Sequence, residues 1–213
     1  MAMILGAVIG ARMGHVLFYQ PDFFFQNPLE IFMIWHGGLA SHGGAIGVLI
    51  ALWIYSKKNK RAYLWTLDRA VIPTALAGCF IRIGNLMNSE IIGSPTTLPW
   101  GFRFLRYYDP DQPIDPFIPR HPAQLYESIC YLIIFVFLIF TYKKYKAKTP
   151  HGLLLGIFLV SVFGMRFMIE FVKENQVAFE ANMLINMGQM LSIPFIIAGL
   201  WFLIKMKRNN IAK

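Results

Sequence analysis

Long apolar runs decide what this chain can become. Stretches close to 20 residues long, such as the one holding "AVIPTALAGCF" (Ala70 to Phe80), recur between short polar loops. About 20 apolar residues is the length a helix needs to cross a bilayer. In hydrocarbon only a helix or a closed barrel satisfies its own backbone. Only 15% of the residues are charged, against roughly a quarter in a soluble domain. The chain therefore reads as an all-α polytopic membrane protein, one transmembrane domain over residues 1–213. Six spans are expected near 1–19, 39–56, 67–88, 123–142, 152–172 and 187–204. The opening "MAMILGAVIGARMGHVLFY" has no basic leader ahead of its apolar run, so it reads as a span and not as a removable signal.

The formal charge of +9 would suggest a nucleic-acid partner in a soluble protein; its distribution points elsewhere. Lys57, Lys58, Lys60 and Arg61 follow span two. Lys143, Lys144, Lys146 and Lys148 follow span four, and Lys205, Lys207, Arg208 and Lys213 close the chain. These twelve alternate with loops holding only Arg103, Arg106, Arg120 and Lys173. The positive-inside rule assigns the twelve, and with them the C-terminus, to the cytoplasm. Charge is thus a topology signal, and no nucleic acid is expected. Residues 89–122, rich in proline and carrying Trp100, Tyr107 and Tyr108, are expected to form a small extracytoplasmic cap between spans three and four. Gly6, Gly10 and Gly14, with Gly43 and Gly47, have the spacing that lets helices approach closely in lipid.

Ionisable residues inside spans are candidate functional residues, because their cost must be offset by pairing or function. Arg82 and Asn85 share a helix face at a spacing of i, i+3. Glu90 joins them only if the helix bends or ends there. A guanidinium suits a phosphate or carboxylate ligand; equally, Arg82 and Glu90 could be a structural pair. Arg166 and Glu170 stand at i, i+4 and could pair with each other, with Lys173 one turn on. Two spans bringing Arg82 and Arg166 to one depth would form an anion site. His42, in "HGGLASHGG", has the side chain suited to proton transfer near neutral pH, or serves as a helix cap. "RHPAQLYE" places Arg120, His121, Gln124, Tyr126 and Glu127 where the cap returns to the membrane. Cys79 and Cys130 lie in apolar runs with no CxxC spacing and read as packing residues. No metal-binding spacing is present, and no cofactor is expected. These residues by themselves describe an anion-binding cavity for a phospholipid and name no reaction.

"RIGNLMNSEIIG", "HGGLASHGG", "RHPAQLYE", "RFMIEFVKE" and "MGQMLSIPFIIAG" resemble, in order, the sequence blocks of bacterial prolipoprotein diacylglyceryl transferases. The resemblance covers essentially the whole chain. It implies transfer of the diacylglyceryl group of phosphatidylglycerol to the lipobox cysteine thiol of a preprolipoprotein, with glycerol phosphate leaving, in the bacterial cytoplasmic membrane. It implies catalytic roles for His42, Arg82 and Arg166. Substrate-binding roles fall to Arg82, Asn85, Glu90, Gly93, Arg166 and Glu170, with His121, Gln124 and Tyr126 in support. It also implies that span one corresponds to the family's second span, so that the family's first is lacking. Ile81, Leu86, Val162 and Lys173 depart from the family's usual residues. The competing reading is a non-catalytic transporter or binder of anionic lipid, for which inverted repeats would be the signature.

Overall fold

The computed structural model describes residues 2–107, 114–174 and 185–211, without the side chains beyond 206. Tyr108 of the expected cap and the terminal Lys213 fall outside these residues. Seven α-helices appear in the order α1 (Ala2–Phe18), α2 (Pro21–Gln26), α3 (Ser41–Lys58), α4 (Tyr63–Met87), α5 (Ala123–Tyr145), α6 (Leu153–Ile169) and α7 (Met187–Ile211). No strand longer than an isolated bridge occurs among the described residues. Among the described residues four helices are long and apolar enough to cross a membrane: those at Tyr63–Met87, Ala123–Lys148, Leu153–Val172 and Met187–Met206. α1 is apolar but shorter. The chain divides into two compact units, Met1–Leu67 and Asp68–Lys213.

In the first unit α1 and α3 meet through bare backbone. Gly10 and Gly47 approach so closely that a Cβ on Gly10 would lie 2.8 Å from the Gly47 Cα. A Cβ on Gly14 would lie 2.8 Å from the Gly43 Cα, and one on Gly47 would run into the Gly6 carbonyl. The stripe spacing in the sequence is therefore a contact surface with no room for a side chain. Gly47→Leu is expected to cost at least the upper end of the roughly 1–3 kcal/mol typical of overpacking, because backbone cannot yield as a rotamer can. Unfolding of the purified protein by graded denaturant in detergent measures it, and unchanged stability would refute the contact.

Between α1 and α3 the chain forms α2 and two 3-10 turns, Pro28–Phe32 and Ile34–His36. Arg12 organises them. Its Nε donates to the Ile31 carbonyl at 2.9 Å, and Nη1 donates to those of Gly37 and Gly38 at 2.6 and 3.1 Å. Nη2 donates to the carbonyls of Glu30 and Met33. Its guanidinium also lies 4.9 Å from the centre of the Phe24 ring. A buried charge is tolerable here because oriented carbonyl dipoles replace its water.

In the second unit Val71, Ala75, Ile134, Leu138, Leu154 and Val162 form the core. Asp68 is fully buried and receives the N–H groups of Gly152 at 2.7 Å and Leu155 at 2.9 Å. It thereby caps the start of α6 from α4, where the helix dipole favours a negative charge. Burial in this unit is inverted relative to a soluble protein. Asp68, Gln124, Glu127 and Ser192 are inside, while Phe80, Ile81, Ile133, Phe137 and Ile197 are exposed. Charged side chains are ordinarily the last to be fully buried. That inversion is what a lipid solvent selects.

Candidate active site

The signature stretch works because α4 ends inside it. Ser89 takes the left-handed conformation, with φ 58°. The Ser89 N–H then reaches the Leu86 carbonyl at 3.1 Å and the Glu90 N–H the Asn85 carbonyl at 2.9 Å. This is the Schellman arrangement that closes a helix, with serine in place of the usual glycine. It folds Glu90 back over the last turn. Asn85 Nδ2 donates to Glu90 Oε2 at 2.8 Å, and Asn88 Nδ2 to Oε1 at 3.2 Å. Gln124, fully buried in the first turn of α5, donates to the Glu90 carbonyl at 2.5 Å.

Arg82 does not pair with Glu90. Its Nε lies 2.8 Å from Oε2 of Glu127 on α5, and its Nη1 donates to Asn85 Oδ1 at 3.4 Å. Glu90 therefore acts on Arg82 through Asn85. Glu170 does not pair with Arg166 either. α6 tightens into a 3-10 turn over Glu170–Val172, and that turn brings Lys173 Nζ to 3.1 Å from Glu170 Oε2. The same ammonium lies 2.9 Å from Glu127 Oε1. Arg82, Glu127, Lys173 and Glu170 thus form one alternating chain of charge. The Glu127 side chain is 1% exposed and that of Lys173 2%. The start of α7 adds to it: a Cβ on Gly188 would lie 2.6 Å from the Glu170 carboxyl carbon.

Backbone pairing fixes this chain in place. The Gly93 N–H donates to the His121 carbonyl at 3.1 Å, and the Ser94 N–H donates to that of Val172 at 3.0 Å. Gly93 forms an antiparallel bridge with Lys173. A Cβ on Gly93 would collide with the His121 carbonyl and stand 2.8 Å from that of Val172. Gly93 is therefore needed for close approach of three segments. Arg120 holds the same junction, with Nη1 2.5 Å from Glu174 Oε2 and 3.3 Å from the Gly93 carbonyl. His121 Nδ1 and the Tyr126 hydroxyl are 3.3 Å apart, and Trp100 Nε1 donates to that hydroxyl at 2.9 Å. Trp100, His121 and Tyr126 tie the segment after α4 to the start of α5, and His121 and Tyr126 stand outside the charge chain.

Arg166, half-buried in the last turn of α6, has no carboxylate at ion-pair distance among the described residues. The phenol of Tyr131, one turn after Glu127, lies within electrostatic reach of Arg82, Arg166 and Glu127. Its ring packs on α4, where a Cβ on Gly78 would lie 2.8 Å from Tyr131 Cε1. His42 belongs to the first unit and stands exposed in the first turn of α3. No group of three or more His, Cys, Asp or Glu side chains arranged for a metal occurs among the described residues.

Glu127 was read from sequence as a member of the polar cluster in "RHPAQLYE", without a partner, and Lys173 only as a neighbour of Glu170. Tyr131 was missed, because it gave no signal distinct from an interfacial aromatic.

A profile described as prolipoprotein diacylglyceryl transferase matches residues 1–205. The chain is 45% identical over 222 residues to a phosphatidylglycerol–prolipoprotein diacylglyceryl transferase of Porphyromonas gingivalis, covering 99% of this chain and 77% of that protein. A protein of the same name from Tolumonas auensis is 49% identical, over 93% of this chain and 74% of its own length. One from Chloroherpeton thalassium is 48% identical, over 92% and 71%.

Proposed function

The chain belongs to the prolipoprotein diacylglyceryl transferase family, and from that premise we propose how its buried charges move a diacylglyceryl group from phosphatidylglycerol to a prolipoprotein. The protein is a transferase of that activity. The acceptor is the thiol of a lipobox cysteine. Its sulfur attacks the glycerol carbon that carries the phosphate, the carbon–oxygen bond breaks, and the electron pair leaves with glycerol phosphate. The products are a thioether and a phosphate monoester. The thiol proton passes to a base, for which His42 is the candidate.

Negative charge on the phosphate grows as that bond breaks. Cations held in place before the reaction favour the transition state over the bound lipid. Arg166 carries this reading: it is a half-buried guanidinium that no carboxylate among the described residues neutralises. Arg166 binds the phosphate and Arg82 supplies the second guanidinium. Glu127 and Asn85 hold Arg82 from two sides, while Glu90 orients Asn85. Glu170 and Lys173 complete the charge balance, and Gly93, Gln124, His121 and Tyr126 keep the cap junction closed over the lipid headgroup.

The chain works as one transmembrane domain in the bacterial cytoplasmic membrane. Six spans cross it, the basic segments 57–61, 143–148 and 205–213 face the cytoplasm, and residues 89–122 form the outer cap. The purified protein, incubated with phosphatidylglycerol and a lipobox peptide, should add one diacylglyceryl mass to the peptide cysteine. The variant Cys79→Ala/Cys130→Ala should do the same. Cys79 Sγ is buried 3.1 Å from Ser128 Oγ and Cys130 is half-buried, which supports the peptide as the source of the reacting sulfur. No mass gain with the unaltered chain refutes the assignment, and loss confined to the folded double variant refutes the substrate-thiol route.

A further inference from the structure

The first unit carries a second cationic site that shares no residue with the one above. α3 ends at Lys58, and the chain turns back through Asn59, Lys60 and Arg61 into α4. The turn is again a Schellman closure: the Lys60 N–H reaches the Lys57 carbonyl at 3.2 Å and the Arg61 N–H that of Ser56 at 2.9 Å. Lys60 occupies the left-handed position, with φ 52°. Glycine fills that position without steric cost, whereas a side chain there is strained.

Beside this turn lies a cavity of about 390 Å³ lined by Trp53, Ser56, Lys57, Lys60, Arg61, Ala62 and Tyr63. Three cations face it, and no carboxylate does. The closure satisfies α3 carbonyls that would otherwise repel an anion at a helix C-terminus. Arg61 lies 5.2 Å from the centre of the Trp65 ring and Lys57 5.9 Å from that of Trp53. Trp and Tyr beside Lys and Arg at the end of an apolar helix mark the headgroup level of a bilayer. A strained lysine at a glycine position adds charge where stability alone would remove it.

We propose that this cavity binds the phosphate headgroup of an anionic phospholipid as a site separate from the transfer reaction. Basic pockets at the ends of membrane helices recognise such headgroups by charge, and the aromatic walls favour a lipid over a free anion. The acyl chains then lie along the apolar exterior of α3, where Leu49, Ile50 and Trp53 are exposed.

The test uses purified protein in phosphatidylcholine nanodiscs doped with phosphatidic acid, with retained lipid counted by native mass spectrometry. Lys60→Gly should weaken phosphatidic acid retention roughly 5-fold, and Lys57→Gln/Arg61→Gln roughly 20-fold, from the typical worth of a cation near a charged membrane surface. Lys60→Gly should at the same time raise the unfolding midpoint, since it relieves a left-handed side chain. A purely structural lysine would not separate the two readouts in this way. The control Lys143→Gln/Lys144→Gln/Lys146→Gln removes three charges elsewhere, more than either pocket variant, and should retain the lipid. Diacylglyceryl transfer to a lipobox peptide by the same pocket variants should keep the wild-type rate, so that failure of the transfer mechanism is read independently. Equal loss in the control triple variant overturns the site, as does unchanged retention in both pocket variants. Displacement of the lipid by millimolar inorganic phosphate overturns a lipid as the occupant.

Discussion

Arg82→Lys is expected to slow diacylglyceryl transfer by about 10²–10³-fold, the cost of removing one positioned donor from a developing anion. Lysine keeps the charge, but it is a point charge on a flexible stem and not a planar fork. In the wild type one edge of the guanidinium is spent on Glu127 at 2.8 Å and another on Asn85 at 3.4 Å. An ammonium that keeps the Glu127 contact cannot also keep the second while addressing a phosphate. The loss should fall on kcat with little change in KM, because the interaction strengthens only as charge develops. Unfolding should shift by less than about 1 kcal/mol, since the pair with Glu127 can survive in altered form. Turnover near the wild-type value in the folded variant removes Arg82 from the reaction.

The second large effect is structural. Glu127→Gln is expected to destabilise the protein by about 3–5 kcal/mol, the range for breaking a buried ion pair from one side. Glu127 is the only carboxylate among the described residues that touches two cations, Arg82 at 2.8 Å and Lys173 at 2.9 Å. Its loss leaves Arg82 without an anion and Lys173 with Glu170 alone. The double variant Glu127→Gln/Lys173→Met removes one of the stranded charges, so it should cost less than the sum of its parts. Denaturant unfolding of the single and double variants in detergent measures both values. Strict additivity would show that Glu127 and Lys173 do not act as a pair.

The helices were legible in the sequence because apolar length is a local property. α4, α5, α6 and α7 coincide with spans read from runs of hydrophobic residues ended by lysine clusters or by the signature. Pairing was not legible, because it is decided across elements. Asp68 stands next to Arg69 in the chain, yet it caps a helix 84 residues further on, at Gly152. Glu170 looked like the partner of Arg166 at helical spacing, but the 3-10 turn after Ile169 changes the register and gives it Lys173. Glu90 looked like either a ligand for substrate or a clamp on Arg82; the reversal at Ser89 makes it a support for Asn85. The arginine and asparagine of the site could be read from spacing. The carboxylate that holds the arginine lies 45 residues downstream on another helix, where only a folded structure brings it near.

Arg12 has a consequence for how the chain is made. Its guanidinium is surrounded by carbonyls of residues 30 to 38, the last of them 26 positions later in the chain. While the ribosome is still making those residues, α1 carries a charge with nothing to receive it. A lone arginine raises the cost of leaving a translocon for lipid. α1 is therefore expected to be held back until the segment through Gly38 has emerged, and to enter the membrane together with α3 as a hairpin.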